Sequence, residues 1–179
     1  TDWLALTRSH QYLSAVEAAE IDLDHVLCAL SSGAEKINAP VYFWNAGYPY
    51  LQIVSMQESV SLKDTATRLR DIDFPLQALL TAPVKGVFVI SGLLNAAAKR
   101  PNLHQDISNA FYTLKRNHRE RYIVLLGTSI DVSLSLYPLL SVVRLSPPSK
   151  SEIADVVSRF LLKSQGDLND ELRRQLVQA

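Results

Sequence analysis

The stretch Gly86-Val-Phe-Val-Ile90 decides the fold class, together with its partner Tyr122-Ile-Val-Leu-Leu126. Both are short and almost wholly apolar, without the alternation of a strand that has one face in water. Such runs are typical of strands in a parallel sheet that is covered on both faces. We therefore expect them to be the central strands of an α/β domain.

Segments with strand or helix periodicity continue on both sides of these two runs. Their alternation predicts a mostly parallel central sheet flanked by helices. The further strands expected are Tyr12 to Val16, Pro40 to Trp44 and Ser141 to Leu145, and the expected helices include Ile21 to Leu30, one from Pro75 and one from Asn102.

The region between residues 48 and 69 is harder to assign. Tyr48 to Ser59 fits a short hairpin. Ser61-Leu-Lys-Asp64 resembles a capping box, in which a hydroxyl and an acidic side chain satisfy the first N–H groups of a helix. It predicts a helix with Leu62, Ala66 and Leu69 on one face.

The C-terminal part predicts helices that leave the sheet. Pro147-Pro148 ends the last strand, and Ser149-Lys-Ser-Glu152 then opens an amphipathic helix with Ile153, Val156, Val157, Phe160 and Leu161 on one face. Asp167 to Ala179 has leucines at four-residue spacing and starts another helix. We expect a separate helical piece here.

Composition narrows the class of protein. Of 179 residues, 47% are hydrophobic, and 18 basic side chains balance 18 acidic ones. A net charge of zero gives no attraction to nucleic acid or anionic lipid, so neither partner is expected. The single cysteine, Cys28, excludes an internal disulfide and fits a reducing compartment such as the cytoplasm.

Two segments bear on membranes and secretion. The longest apolar stretch, Tyr122 to Val143, contains Asp131 and Pro138, so strands and a turn explain it better than a membrane span. The chain starts at Thr1 without a charged and apolar leader, so no signal peptide is expected.

Nucleotide binding by this fold requires a glycine-rich loop after the first strand, because the backbone must approach the phosphates closely. Val16-Glu-Ala-Ala-Glu20 has no glycine there. None of the six glycines begins the Gly-x-x-x-x-Gly-Lys-Ser/Thr pattern. At the end of the Gly86 strand, Ser91 and Gly92 stand where acids would bind Mg²⁺ and activate water. We therefore expect no catalytic residues, no metal site and no bound cofactor.

Polar side chains follow the strand that ends at Leu126. In Gly127-Thr-Ser-Ile-Asp131, the hydroxyls of Thr128 and Ser129 are suited either to sensing a γ-phosphate or to capping the next helix. The segment lacks the second glycine of a Gly-x-Ser-x-Gly nucleophile elbow, which argues against a serine hydrolase.

Three other groupings are weaker candidates. Glu17 and Glu20 are either an acid/base pair or two acids favoured by a helix dipole. His25 and Cys28 share a helix face at the spacing of metal ligands, although the other histidines are distant in sequence. The basic run from Lys115 to Arg121 is suited to a phosphate or partner, but also to an ordinary helix C-terminus.

The order of these motifs resembles an AAA+ ATPase. It includes Gly86-Val-Phe-Val-Ile-Ser-Gly-Leu-Leu94, Tyr122-Ile-Val-Leu-Leu-Gly-Thr-Ser129 and Val142-Val-Arg-Leu-Ser-Pro-Pro-Ser-Lys-Ser-Glu-Ile153. In AAA+ proteins a Pro-containing link and a Glu-Ile helix commonly open the helical lid. Most closely, residues from Tyr12 to Ala179 resemble the degenerate N-terminal segment of cyanobacterial and plastid AAA+ proteins related to the CfxQ group.

This resemblance implies an α/β domain at residues 1–148 and the start of a helical lid at 149–179. Ser91 and Gly92 would be decayed Walker B positions, and only Thr128 and Ser129 map to a sensor. No arginine lies between Thr128 and Arg144 to serve as an arginine finger.

The implied function is that of an inactive AAA+-like domain, which serves assembly or binds a protein partner in the cytoplasm or plastid stroma. It would form the N-terminal part of a larger AAA+ protein, and ATP and Mg²⁺ would bind only to a downstream module. Two alternatives stay open. The full-length protein would be an ATP-driven remodelling enzyme with its motor beyond Ala179, or the chain would be a clamp-loader-like subunit.

Overall fold

The computed structural model describes residues 12–56, 59–69, 75–81, 85–97, 99–117, 120–128, 130, 136–144, 154 and 157–158. The chain divides into two compact units, residues 1–145 and 146–179. In the second unit residues 154, 157 and 158 are helical. The rest of the helix expected after Ser149, and the helix expected from Asp167, lie outside the described residues, so the domain limits 1–148 and 149–179 stay a prediction.

The first unit alternates strands and helices. A 3-10 turn, Glu20–Asp22, precedes the first helix, and a second, Tyr137–Leu139, precedes the last strand. The strands are β1 (Leu13–Glu17), β2 (Val41–Trp44), β3 (Tyr50–Met56), β4 (Val60–Arg68), β5 (Gly86–Ser91), β6 (Arg121–Gly127) and β7 (Ser141–Arg144). The helices are α1 (Leu23–Glu35), α2 (Pro75–Thr81), α3 (Leu93–Ala97) and α4 (Pro101–Asn117).

All seven strands form one sheet, in the order β4-β3-β2-β5-β6-β1-β7. The five strands from β2 to β7 along this order are parallel, while β3 and β4 are added antiparallel at one edge. The chain therefore has an α/β fold with a mixed, mostly parallel sheet, which confirms the expected class at this level.

The central strands are buried on both faces. In β5, Val87 and Val89 pack in an apolar cluster with residues of α1, whereas Phe88 and Ile90 pack in a second cluster with residues of α2, α3 and α4. Helices thus cover both faces of the sheet, which explains the apolar runs at residues 86–90 and 122–126.

The helix predicted from Ser61 is wrong. Residues 60–68 form β4, which pairs antiparallel with β3 from Met56 and Val60 to Tyr50 and Arg68. The capping-box pattern is local, whereas the strand also gains a ladder of hydrogen bonds and the packing of Leu62 on the α1 side of the sheet. The short hairpin considered within residues 48–59 is also wrong in its limits, because that range contains only the strand β3, and β3 forms its hairpin with β4 at residues 60–68.

Candidate functional site

The carboxyl edge of the parallel strands is the expected place for a ligand. After β1 the chain crosses to β2, and after β6 it crosses in the opposite direction to β7. Loops that leave neighbouring strands in opposite directions open a crevice between them. The candidate site therefore lies beyond the ends of β1 and β6.

A cleft of about 320 Å³ occupies this position. Its lining includes the buried apolar side chains of Phe43 and Leu126. Its polar lining residues come from four different segments: Glu20, Asn45, Ser91, Asn95 and Thr128. An apolar interior with a few polar groups is typical of a binding site for a small group or side chain.

The structure brings together four of the residues that the sequence singled out. Ser91, Gly92 and Thr128 all line the cleft, and Glu20 joins them. Thr128 is exposed, while Ser129 lies outside the described residues. Of the two residues predicted to form a sensor, the structure therefore shows the surroundings of Thr128 alone.

The segment after β1 is unsuited to phosphate. The backbone N–H of Ala18 donates to the carbonyl oxygen of Gly127, with an N···O distance of 3.0 Å. Ala19 is extended, with φ −64° and ψ 152°, and the next residue, Glu20, is an acidic member of the cleft lining. A phosphate needs several free N–H groups and is repelled by a carboxylate, so a segment whose first N–H is already paired and that includes a glutamate is poorly suited to bind it.

Gly92 has a conformational role at the end of β5. Its φ is +80°, and a Cβ built there would have no atom within 4 Å, so conformation rather than space favours glycine. Its N–H donates to Leu126 O at 3.0 Å, and its carbonyl accepts from Ala96 N at 3.1 Å. Gly92 thus joins β5 to the first turn of α3.

Glu17 is engaged in structure rather than in the cleft. Its Oε2 accepts from Arg144 Nε at 3.2 Å and from Ile130 N at 3.4 Å, which ties the end of β1 to β7 and to the segment after β6. Glu20 lines the cleft, but Glu17 does not. The geometry therefore gives the two glutamates separate surroundings, and it offers no support for an acid/base pair.

Among the described residues, the histidine and cysteine of α1 have no further side chains placed to complete a metal site with them. His25 is exposed and Cys28 is half-buried. Across the part of the chain that the structure describes, no group of three or more His, Cys, Asp or Glu side chains is placed to hold a metal ion. The spacing of these two residues alone gives too few ligands for zinc.

Asp106 is a buried charged residue that the sequence analysis did not single out. It is 4% exposed, and one of its carboxylate oxygens, Oδ2, has no hydrogen-bond partner. Burial raises the pKa of Asp106 to about 6, while the N–H of Leu76, which donates to the carboxylate, opposes that rise. The sequence feature that could have identified Asp106 is its position on the apolar face of α4, between Leu103 and Ala110.

Asp106 contacts the first turn of α2 and does not line the cleft. Leu76 is the second residue of α2, and at the other end of that helix the Arg121 guanidinium donates to Leu80 O. A negative group at the N-terminus and a positive group at the C-terminus both interact favourably with the helix dipole and stabilise the helix. The two buried charges therefore position a seven-residue helix.

A second cleft, of about 350 Å³, lies at the amino edge of the sheet. It is lined partly by Pro40, Gly86 and the exposed ion pair Lys85–Glu120. Amino edges of parallel sheets are not the usual ligand sites. We therefore treat the carboxyl-edge cleft as the candidate site.

Comparison with protein-family models and with curated proteins gives no match for this chain. Among the helices in the described ranges, each is too short or too polar to cross a lipid bilayer.

Proposed function

We propose that this chain is a catalytically inactive AAA+-like domain that serves assembly or binds a protein partner, as the N-terminal part of a larger AAA+ protein. The observation that carries the proposal is the carboxyl-edge cleft. It has the position of a ligand site, but its first segment is Ala18-Ala19-Glu20 and its β5 end is Ser91-Gly92.

The topology supports the family assignment. β1 lies between β6 and β7 within five parallel strands, an arrangement compatible with a P-loop-like fold. The motif order of the sequence, from Gly86 to Ile153, supports the closer resemblance. Helices on both faces and a crevice at the carboxyl edge are further properties expected of such a fold.

The chemistry of the cleft supports an inactive state. Phosphoryl transfer relies on positioned phosphates and on a metal that neutralises charge. Ser91 has no carboxylate for Mg²⁺, and the Ala18 N–H is already paired with a strand carbonyl. The Thr128 hydroxyl alone gives weak recognition of a phosphate.

Partner binding is supported by an exposed apolar residue beside the cleft. Ile21 is 92% exposed and follows the cleft residue Glu20. An isoleucine with this exposure contributes little to the core of its own domain, and its side chain is available for the apolar part of an interface. We expect the carboxyl edge to be the docking face.

Two measurements test the proposal. Release of phosphate from Mg-ATP by the chain should equal that of buffer, and turnover above this background would overturn the inactive assignment. Sedimentation velocity over a range of concentrations tests assembly. Association that Ile21→Ser weakens, and that Ile37→Ser at the opposite edge leaves unchanged, would support docking at the carboxyl edge. Equal association in both variants would contradict it.

A further inference from the structure

The lining of the carboxyl-edge cleft has an uneven charge. Among its lining residues in the described part of the chain, Glu20 is the only charged one. The other polar members are neutral hydroxyl or amide groups, including Ser91, Asn95 and Thr128. Such oxygens can accept hydrogen bonds from a cation, and Glu20 supplies the opposite charge.

Two backbone donors in the cleft lining, the N–H groups of Ala18 and Gly92, are already used. The Ala18 N–H binds Gly127 O and the Gly92 N–H binds Leu126 O, each at 3.0 Å. A negatively charged ligand would therefore meet the carboxylate of Glu20 without these two amides to offset it. The balance of groups favours a positive ligand over a negative one.

The surrounding sequence reinforces this preference. From Glu20 to Asp24 the chain has three acidic residues and no lysine or arginine. Asp24 is exposed in the first turn of α1, and Asp22 is partly exposed just before it. These charges give the approach to the cleft a negative potential, which attracts cations over distances of about 10 Å at moderate salt.

The apolar lining suits a cation carried on an aliphatic stem. Phe43 and Leu126 are almost fully buried and line the cleft, and Leu23 adds a partly buried side chain. Lysine and arginine bury their methylene groups along apolar surface and keep the charged head near polar groups. A volume of about 320 Å³ is at the small end of ligand sites and suits one long side chain.

We propose that this cleft receives the ammonium or guanidinium group of a lysine or arginine side chain presented by a partner protein. The inference rests on the proposed function, because it takes the carboxyl edge as a docking face. Ile21, next to Glu20 and 92% exposed, provides the apolar contact beside the inserted cation. Charge complementarity and one apolar anchor together define the partner segment.

The test is a titration of the ¹⁵N-labelled 179-residue chain, followed by amide chemical shifts. The probe is the blocked tripeptide acetyl-Gly-Arg-Gly-amide, and its citrulline counterpart is the neutral control of the same shape. We expect the arginine peptide to shift amides of residues 18–22, 91–95 and 126–128. The citrulline peptide should shift them at least about tenfold less at equal concentration, because the charge is lost.

A matched pair of variants locates the charge. Glu20→Gln should weaken arginine-peptide binding about three- to fivefold, the range of an exposed ion pair. Glu35→Gln removes an exposed carboxylate at the far end of α1 and should leave binding unchanged. Equal weakening by both variants, or equal binding of both peptides, would overturn the proposal.

Two further probes separate the sources of failure. Tighter binding of agmatine, which carries a guanidinium and an ammonium group, than of the arginine peptide would assign the cleft to a small free cation and overturn the partner assignment. No shift at the cleft with any cation would also overturn it, while leaving the inactive domain of the proposed function intact. Shifts at the same amides with Mg-ATP would overturn the proposed function itself.

Discussion

The N–H of Ala18 donates to the carbonyl oxygen of Gly127 across an N···O distance of 3.0 Å, one residue beyond the last paired residue of β1. This bond extends the β1–β6 ladder into the position where a phosphate-binding segment would have to open. The N–H of Gly92 closes the other side of β6 in the same way, on Leu126 O at 3.0 Å. The carbonyls at the end of β6 thus fix both flanking segments.

Restoring one acid should not restore activity. In Ser91→Asp the new carboxylate would stand at the strand end where Mg²⁺ binds in working enzymes, but no segment after β1 would position the phosphates. We expect ATP turnover, measured by phosphate release, to stay at background. Ser91→Asn is the uncharged control. Mg²⁺-dependent turnover in the aspartate variant alone would contradict this prediction.

Position 92 is left unchanged in that test for a structural reason. With φ at +80°, Gly92 has a conformation that side-chain-bearing residues rarely adopt. Gly92→Glu would therefore combine a new carboxylate with backbone strain, and its effects on activity and stability would not be separable.

Gly86 should be far less replaceable than Gly92. A Cβ at Gly86 would lie 2.4 Å from Pro40 O, and the φ of Gly86 is +144°. We expect Gly86→Ala to lower the free energy of unfolding by roughly 3 kcal/mol or more, from strain and displacement of β2. Gly92→Ala, with open space around it, should cost only about 1–2 kcal/mol.

Urea unfolding of the two glycine variants gives the comparison. The larger loss should belong to Gly86→Ala. Equal losses would mean that the close approach of β5 to Pro40 is absent in solution.

Asp106 should make stability depend on pH in an unusual direction. Its folded pKa of about 6 is above the ordinary value of 3.8. The stability it contributes is therefore fully present below pH 3.8 and is lost as the pH rises through about 6. A shift of about two pKa units corresponds to roughly 3 kcal/mol between these limits.

Asp106→Asn removes this titration and keeps an oxygen for the Leu76 N–H. We expect the free energy of unfolding of the variant, relative to wild type, to increase by a few kcal/mol from pH 4 to pH 7. Asp24→Asn, at an exposed position, should show little of this change. The same pH profile for both variants would mean that the Asp106 carboxyl is hydrated in solution.

The central strands could be predicted because their apolar runs have one explanation. β5 and β6 are buried on both faces, and the segments at residues 86–90 and 122–126 are almost wholly apolar, without a polar pattern that would favour a surface helix or a loop. Helix α4 was also predicted, and its start differs by one residue because Pro101 occupies the first helical position.

What the sequence could not provide depends on contacts between distant segments. The β4 strand pairs with β3, so a local capping pattern at Ser61 predicted a helix that long-range pairing excludes. Glu20, Ser91 and Thr128 were each singled out in the sequence, but their meeting in one cleft, together with the apolar Phe43, depends on the order of the strands. The role of Asp106 could not be predicted either, because it depends on where α2 packs and on the N–H that Leu76 of α2 donates to the carboxylate.

Calorimetric titration of the 179-residue chain with Mg-ATP measures nucleotide binding at the carboxyl-edge cleft most directly. Since the Ala18 N–H is paired and the acidic residue Glu20 lines the cleft, we predict no saturable heat up to millimolar nucleotide. A dissociation constant on the order of 10 µM or tighter, which corresponds to about −7 kcal/mol, would contradict the central claim that this cleft is not a nucleotide site.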